Sequence, residues 1–268
     1  MRRRLDAELV RRGLAPSRDR AQELISAGRV TVAGAPAAKA TRLVDAGEPV
    51  EVQGPPARFV GRGGEKLEGA LDRFAIDPAG LVALDAGSST GGFTDCLLQR
   101  GATLVHAVDV GRHQLHERLR ADPRVSSREQ TDIRSVTVED LGRPADITVS
   151  DVSFISLLGV ADSLVGLTRQ GGDLVLLVKP QFEVGRQAAA RGKGIIRDPE
   201  LWAEALYKVT DGLNQRGVAI MEGMVSPIRG AGGNVEFLIH GRVDGTGASH
   251  LDVDQLVVLV ASEEEGPS

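Results

Sequence analysis

The sequence has little cysteine, few aromatic residues and no long apolar run. Its 268 residues contain one cysteine, Cys96, and aromatic residues make up 3% of the chain. A single cysteine excludes an internal disulfide and favours a reducing compartment, so we expect a cytoplasmic protein. The longest apolar runs, such as 174–178 and 256–261, are far shorter than the ~20 residues of a membrane span. Acidic residues closely follow the basic positions 2–4, which argues against a secretory signal.

Positive charge is concentrated at the start of the chain. The formal net charge is −5, yet residues 1–66 carry 13 Lys/Arg against 8 Asp/Glu, and residues 67–268 carry 19 against 29. A basic segment in front of an acidic remainder is typical of a part that contacts phosphates. The alternative is a chance cluster of solvated arginines. The charge distribution therefore favours, without proving, a nucleic-acid partner.

Residues 1–53 predict a small α+β domain. Helices are predicted at Arg3–Arg12 and Ser17–Ala27, where apolar residues keep helical spacing, with Ser17 as N-cap and Gly28 as the stop. Strands are predicted at 29–32 and 49–52, with a turn at 33–36 between them. The Gly-Pro-Pro run at 54–56 marks a linker that we place at 54–61.

This first domain resembles the S4 RNA-binding domain, a helix-helix-strand module common in ribosomal proteins and RNA-modifying enzymes. The resemblance is carried by Arg4-Leu5-Asp6, Arg12-Gly13-Leu14-Ala15, Ser17-Arg18, Ala21, Leu24-Ile25 and Gly28-Arg29-Val30-Thr31-Val32. It implies RNA binding through basic side chains, for which the candidates are Arg4, Arg18, Arg20, Arg29, Lys39 and, just after the linker, Arg62.

Residues 62–262 predict a larger α/β domain, a Rossmann-like fold with a mainly parallel sheet of seven strands. Helix and strand patterns alternate, as expected when helices cover both faces of a parallel sheet. The last two strands follow one long helix, Pro199–Arg216, and suit an antiparallel edge. Residues 263–268 are predicted to be a disordered acidic tail. The predicted strands are Leu81–Ala86, Thr103–Asp109, a weaker one near Val125, Ala145–Asp151, Asp173–Val178, Gly217–Val225 and Asn234–Gly241.

A glycine-rich motif, Asp-x-Gly-x-x-x-Gly-Gly-Phe-Thr at 85–94, ends the first of these strands and opens a helix. Glycines let the backbone turn tightly and approach a ligand at the edge where doubly wound sheets bind cofactors. Ser89 stands where a dinucleotide motif would need its second glycine, which disfavours an NAD-dependent oxidoreductase. Asp109 ends the next strand, where a carboxylate can accept hydrogen bonds from ribose hydroxyls. Taken alone, the motif could also be a purely structural turn.

The motif resembles motif I of RNA methyltransferases of the FtsJ type. This resemblance implies S-adenosylmethionine as the cofactor, with helix amides meeting its methionine carboxylate. It assigns the cofactor site to Asp85, Gly87, Ser88, Ser89, Thr90, Gly91, Gly92, Phe93 and Asp109, with Asp132 and Ile133 beside the adenine.

Four charged residues are candidates for catalysis: Lys66, Asp151, Lys179 and Glu236. Asp151 and Lys179 follow adjacent buried strands, so both should emerge at the cofactor edge of the sheet. A lysine directly after Leu-Val-Leu-Leu-Val is costly to place there without a partner. Each residue alone could be part of a surface ion pair, and only their joint occurrence argues for a site.

In order and context the four residues resemble the Lys-Asp-Lys-Glu tetrad of 2'-O-methyltransferases. Together with Lys-Pro-Gln-Phe-Glu at 179–183 and the S4-like start, they make the chain similar to the TlyA family, whose members are often called haemolysins. The resemblance implies ribosomal RNA or ribosomal subunits as partner and cytidine 2'-hydroxyls of 16S and/or 23S rRNA as targets. It also implies susceptibility to capreomycin-type antibiotics. The linker departs from the family, with Phe59-Val60 where a tryptophan next to a valine is usual.

Two roles stay open for Lys179. It can orient the ribose hydroxyl as a hydrogen-bond donor, or, when neutral, remove the proton of that hydroxyl. Methyl transfer from a sulfonium depends on in-line geometry more than on acid catalysis, so either role is compatible with the chemistry.

Other functions compete with this interpretation. The chain could be a non-catalytic ribosome-binding or assembly protein, although the intact motif argues against that, or a pore-forming haemolysin, which no sequence feature supports. His113 and His116 lack the further ligands of a metal site, so no metal is expected. The short apolar runs give no reason to expect a membrane partner either. The stretch 185–194 could be a basic loop beside RNA or a spacer. The oligomeric state is left open, with a monomer expected.

Overall fold

The computed structural model describes residues 2–15, 18–54, 57–185, 192, 194–244, 247 and 249–264. It divides into two compact units, Met1–Gly61 and Arg62–Ser268. The predicted N-cap Ser17, most of the stretch 185–194 and the two prolines of the linker lie outside the described residues.

The first unit joins two helices to short antiparallel strands. Strand β2 is central in a sheet of order β3-β2-β5, and β1 pairs with β4. The prediction of a helix over Arg3–Arg12 is wrong at its start, because Arg3 and Arg4 pair with a strand that the sequence pattern had not shown. The predicted turn at 33–36 likewise contains a strand. The elements are β1 (Arg3–Arg4), α1 (Leu5–Arg11), α2 (Arg18–Ser26), β2 (Val30–Val32), β3 (Ala35–Pro36), β4 (Leu43–Val44) and β5 (Val50–Val52).

A small apolar core holds this unit together. Leu5 and Leu9 of α1 are fully buried against Ile25 of α2 and against Val30 and Val32 of the central strand. Alternate positions of a short strand face one side of a sheet, so Val30 and Val32 reach the core together.

The second unit is built on a mixed sheet of seven strands in the order β11-β12-β10-β9-β6-β7-β8. Strand β12 lies between β10 and β11 and runs antiparallel to both. The α/β Rossmann-like prediction is therefore confirmed, including an antiparallel last strand. The strands are β6 (Val82–Ala86), β7 (Leu104–Val108), β8 (Val125–Arg128), β9 (Ala145–Ser150), β10 (Thr168–Val178), β11 (Val218–Val225) and β12 (Phe237–Val243).

Helices pack along this sheet and supply the large core. Trp202 is buried and lies edge-on to Phe237, with ring centroids 6.3 Å apart. The last helix continues to Glu264, so the prediction of a disordered tail is wrong for residues 263 and 264, and 265–268 lie outside the described residues. The helices are α3 (Gly63–Arg73), α4 (Gly92–Gln99), α5 (Glu117–Arg120), α6 (Val138–Leu141), α7 (Ala161–Leu167), α8 (Pro180–Glu183), α9 (Pro199–Asn214) and α10 (Val253–Glu264).

Strand direction brings the candidate residues to one edge. Strands β6, β7, β9 and β10 are parallel, so the residues that follow them emerge side by side. Strand β12 runs the other way, with Val178 of β10 opposite Phe237. Glu236, just before β12, is therefore at the edge where Lys179 follows β10. Among the described residues, no helix combines the length and apolar character needed to cross a bilayer.

Candidate active site

The four predicted catalytic residues form two ion pairs in one cavity of about 280 Å³. Lys66 Nζ lies 2.5 Å from Glu236 Oε2, and Lys179 Nζ lies 2.6 Å from Asp151 Oδ1. Both lysine side chains are only 8% exposed. Buried charges are tolerated only when they are paired, and here each cation has its own carboxylate.

Glycine makes room for the first pair. A Cβ atom at Gly230 would lie 2.0 Å from Glu236 Oε1, so any other residue there would displace this carboxylate. Gly230 also donates its backbone N–H to Asn234 O at 2.9 Å, which holds the turn that leads into β12. The local fold thus places Glu236 opposite Lys66 of α3.

The ammonium of Lys179 has three N–H donors, of which two are engaged. One faces Asp151, and a second donates to Ser153 Oγ at 2.6 Å. The ring of Phe182 lies 5.8 Å from Nζ. The third donor can therefore serve a ligand in the cavity without breaking either contact.

A second cavity of about 430 Å³ adjoins the first. It is lined by Asp109, Asp132 and Ile133 among others, so the structure brings these three predicted cofactor residues together. The two cavities share five lining residues, and a ligand in the second cavity can therefore reach the ion pairs. The shared residues are Gly87, Ser89, Asp151, Ser153 and Phe154.

The carboxylate of Asp109 is held by backbone amides on both sides. Ser89 N donates to Asp109 Oδ2 at 2.8 Å, and Gly111 N donates to Oδ1 at 2.6 Å. These bonds fix the carboxylate and leave lone pairs on each oxygen for hydroxyl donors. Asp132 instead pairs with Arg134, whose Nη2 lies 2.5 Å from Oδ2. The neighbouring Ile133 contributes a buried apolar side chain to the wall of the same cavity.

The glycine-rich loop closely approaches the backbone of Asp151, the residue that follows β9. Gly87 has a φ of +87°, and a Cβ atom there would lie 3.1 Å from the backbone oxygen of Asp151. Ser88, Thr90, Gly92 and Phe93 line the first cavity together with it. This loop therefore forms a cradle that a larger residue at position 87 would partly fill.

Asp85 and Gly91 lie behind the loop and line neither cavity. Asp85 is fully buried and accepts a hydrogen bond from Thr94 Oγ1 at 2.6 Å, and its other oxygen has no partner among the described atoms. Burial raises the pKa of Asp85 to about 7. These two residues support the loop from within, which differs from the direct cofactor contact expected from the sequence.

Three of the predicted RNA-binding residues of the first unit, Arg4, Arg18 and Lys39, have exposed side chains. Arg4 and Arg18 both pair with the buried carboxylate of Asp6, at 2.8 and 3.3 Å, and their guanidinium groups remain at the surface. Arg29 donates to Gln53 O at 2.8 Å, and Lys39 is exposed. Arg20 belongs to α2, but its side chain lies outside the described residues.

Arg62 is the first residue of the second unit. It is exposed and occupies the N-cap position of α3, one turn before Lys66. Its RNA contact stays a prediction.

Sequence reasoning missed several residues that line the first cavity. Ser153 bonds to Lys179, and Phe154 is 89% exposed with a φ of +68°, which is unusual for a bulky residue. Gln181 and Phe182 complete the wall. All four stand within three residues of a predicted catalytic residue, which was the available signal.

His116 has a structural role in the capping of a helix. His116 Nδ1 accepts a hydrogen bond from Arg118 N at 3.1 Å and caps α5. Across the part of the chain that the structure describes, no three His, Cys, Asp or Glu residues cluster as metal ligands.

Comparison with known proteins assigns both units. A family model described as FtsJ-like methyltransferase matches residues 59–243, and the S4 domain model matches residues 3–50. The chain is 48% identical over 239 residues to the 16S/23S rRNA (cytidine-2'-O)-methyltransferase TlyA of Mycobacterium tuberculosis, covering 89% of each chain. It is 40% identical to Hemolysin A of Brachyspira hyodysenteriae, covering 88% of this chain and 98% of that protein.

A solved structure agrees with these matches. A hemolysin candidate from Streptococcus thermophilus superposes with a TM-score of 0.80 at 36% identity, covering 98% of this chain and 97% of that one. The chain is thus an FtsJ-like methyltransferase that carries an S4 domain. Within that class, the chain belongs to the TlyA family.

Proposed function

We propose that the chain transfers a methyl group from S-adenosylmethionine to the ribose 2'-hydroxyl of cytidine in 16S and/or 23S rRNA. The observation that carries this proposal is the pair of lysine–carboxylate contacts in a cavity that adjoins the cavity of Asp109. The substrate is inferred from the activity after which the Mycobacterium tuberculosis relative is named. Susceptibility to capreomycin-type antibiotics is proposed as its consequence.

The second cavity fits a nucleoside-containing cofactor. The carboxylate of Asp109 is fixed by two amides and can accept the ribose hydroxyls, Ile133 offers an apolar surface to a base, and the loop at Gly87 leaves room for the remainder. When bound, S-adenosylmethionine supplies an electrophilic methyl group on a sulfonium.

The residues of the first cavity handle the nucleophile. A ribose hydroxyl is weakly nucleophilic at neutral pH, so its orientation toward the methyl group decides the rate. The third donor of Lys179 can hold the hydroxyl oxygen, and Asp151 keeps the ammonium in place. An ammonium has no lone pair, so the proton released from the 2'-oxygen is accepted by the carboxylate of Asp151, which Lys179 holds in place, and passes from there to solvent. Lys66 neutralises Glu236 and keeps both at the cavity wall.

Methyl transfer to isolated ribosomal subunits tests the proposal. The purified chain is incubated with methyl-labelled S-adenosylmethionine and with 30S or 50S subunits from cells that lack the gene, and nucleosides are then analysed by mass spectrometry. We expect 2'-O-methylcytidine in at least one subunit, none with K179A, and normal levels with R216A, which changes an ion pair outside both cavities.

Other products would contradict the proposal. Methyl groups on a base, or on a ribose other than that of cytidine, would exclude the proposed target. Tight binding to subunits without any methyl transfer would instead support the non-catalytic ribosome-binding alternative.

A further inference from the structure

Glu183, at the end of α8, is a buried carboxylate outside the predicted tetrad. Its side chain is about 4% exposed and lines neither cavity. Oε2 accepts a hydrogen bond from Ser156 Oγ at 2.6 Å, and Oε1 accepts one from Leu157 N at 2.7 Å. Both donors belong to the segment that follows β9, so this carboxylate ties α8 to that segment.

The two tied segments carry the reacting side of the site. The segment after β9 contains Asp151, Ser153 and Phe154, and α8 begins directly after Lys179. Ring centroids of Phe154 and Phe182 lie 5.5 Å apart across the same gap. A shift between the segments would therefore change the contacts that Lys179 makes with Ser153.

The helical turn itself is anchored from its other side. Lys208 of α9 donates from Nζ to the backbone oxygen of Glu183 at 2.6 Å, while its distance to Glu183 Oε2 is 3.8 Å. Ser156 in turn accepts from Leu158 N at 3.3 Å and starts a helical turn. Glu183 thus joins one fixed element to the loop that carries Ser153.

We propose that Glu183 is a positioning residue that sets the distance between Lys179 and the segment Asp151–Ser156, and so controls the rate of methyl transfer without contacting substrate. The proposal rests on the proposed function for its rate readout. A misplacement of about 1 Å at reacting groups can cost on the order of 100-fold in rate. Cofactor binding should change much less than the rate, because the contacts of Asp109 are made by other residues, although Asp151, Ser153 and Phe154 also line the second cavity.

Three substitutions separate geometry from charge. Glu183→Gln keeps an oxygen for Leu157 N, and its amide can donate to Ser156 Oγ, so kcat should stay within about threefold of wild type. Glu183→Asp keeps the charge but is one methylene shorter and cannot make both bonds. Glu183→Ala removes both. The Asp and Ala variants should lose about 10- to 100-fold in kcat, with a much smaller change in the dissociation constant for S-adenosylmethionine by calorimetry.

Asp146→Ala is a matched control at the opposite end of the same strands. Asp146 of β9 is also buried, accepts a hydrogen bond from Arg169 Nε of β10 at 2.9 Å, and accepts another from Val82 N at 2.9 Å. Its loss should lower the melting temperature as much as Glu183→Ala does and leave kcat near that of wild type. A purely structural role of Glu183 predicts the same behaviour for both variants.

A spectroscopic readout separates this inference from the proposed function. With fluorophenylalanine at the six phenylalanine positions, the ¹⁹F signals of Phe154 and Phe182 should shift in Glu183→Asp and remain in place in Asp146→Ala. If those signals shift while wild type methylates no rRNA, the proposed function fails and the positioning role stands. Equal kcat for the Asp and Gln variants, or unshifted signals in the Asp variant, would overturn the positioning role even if Glu183→Ala did not fold.

Discussion

Charged groups are paired in both units, but the cations of the pairs differ in their exposure. In the first unit the carboxylates of Asp6 and Glu8 are buried, while three of their four arginine partners are well exposed: Arg4, Arg11 and Arg18. In the candidate active site it is the lysines that are buried, and each has a carboxylate beside it.

This difference separates a surface for binding from a site for chemistry. An arginine fixed at its base by a buried carboxylate presents its remaining N–H donors outward at little cost in side-chain entropy, which suits phosphate contacts. A lysine removed from water interacts more strongly with whatever lies next to it, which suits the control of one hydroxyl group. The predictions below test this comparison.

The largest expected effect is on the lysine side of the comparison. Lys179→Ala should lower kcat by about 10³-fold or more, since general acid–base groups contribute 10²- to 10⁴-fold. The affinity for S-adenosylmethionine, measured by calorimetry, should change less than twofold because Lys179 does not line the cavity of Asp109. A kcat within a few-fold of wild type would remove Lys179 from the mechanism.

Loss of the Asp109 carboxylate from the second cavity should have a smaller effect, on the affinity for the cofactor rather than on kcat. Asp109→Ala removes the acceptor that Ser89 N and Gly111 N now hold, so both the ribose contacts and the loop are weakened. We expect the dissociation constant for S-adenosylmethionine to rise by about 10- to 100-fold, which corresponds to the loss of roughly one or two charge-assisted hydrogen bonds. Wild-type affinity in this variant would refute the assignment of the cavity.

A still smaller effect is expected from the exposed arginines. Replacing Arg4, Arg18 and Arg20 by alanine should weaken rRNA binding by about tenfold. The slope of its salt dependence should fall by about one for each phosphate that the variant no longer neutralises. Salt titrations of rRNA binding measure both. Asp6→Asn is the control, because it keeps all three cations, and it should leave the slope unchanged. Equal slopes for wild type and triple variant would mean that these arginines do not contact phosphate.

The smallest effects concern stability and have opposite signs in the two units. The hydrogen bond from Arg4, and to a smaller extent those from other donors, lowers the pKa of Asp6. The ionised Asp6 therefore stabilises the folded chain above its unfolded pKa of ~3.9, and this stabilisation is lost as pH falls below that value. Burial raises the pKa of Asp85 to about 7. Its contribution is therefore complete below pH ~4 and is lost as pH rises to about 7.

Melting curves between pH 3 and 8 check both signs. Asp85→Asn should remove part of the decline in melting temperature between about pH 5 and 7, a change of a few degrees. Asp6→Asn should leave that range alone and flatten the curve below about pH 4. An unchanged decline between pH 5 and 7 in Asp85→Asn would show that Asp85 is already ionised in the folded state over that range.

Strand positions in the second unit were predictable because the buried strands are continuous apolar runs. The pattern placed Asp151 and Lys179 correctly at neighbouring strand ends, and it found the long helix before the last strand pair. In the first unit, β3 and β4 have two residues each, which is too short for any alternation to be visible. The last helix, α10, was not predicted, because its apolar residues 256–261 follow one another without interruption and show no helical spacing.

The pairing within the tetrad could not be predicted. Sequence order does not say that Lys66 meets Glu236, 170 positions away, because that contact depends on the direction of β12 and on the space at Gly230. The motif placed Asp85 near the cofactor, but whether a strand residue faces the ligand or the interior depends on the packing of α4. Glu183 carried no signal of its own beyond its place in the Lys-Pro-Gln-Phe-Glu string.

The reversed direction of β12 has a consequence for the order of events during synthesis. Lys66, Asp151 and Lys179 all leave the ribosome before Glu236, which reaches their edge of the sheet only because β12 pairs antiparallel with β10. A nascent chain that has folded as far as β10 therefore holds Lys66 without its carboxylate. The candidate site is completed by one of the last strands to be made, so an unfinished chain on the ribosome does not yet carry the complete set of candidate catalytic residues.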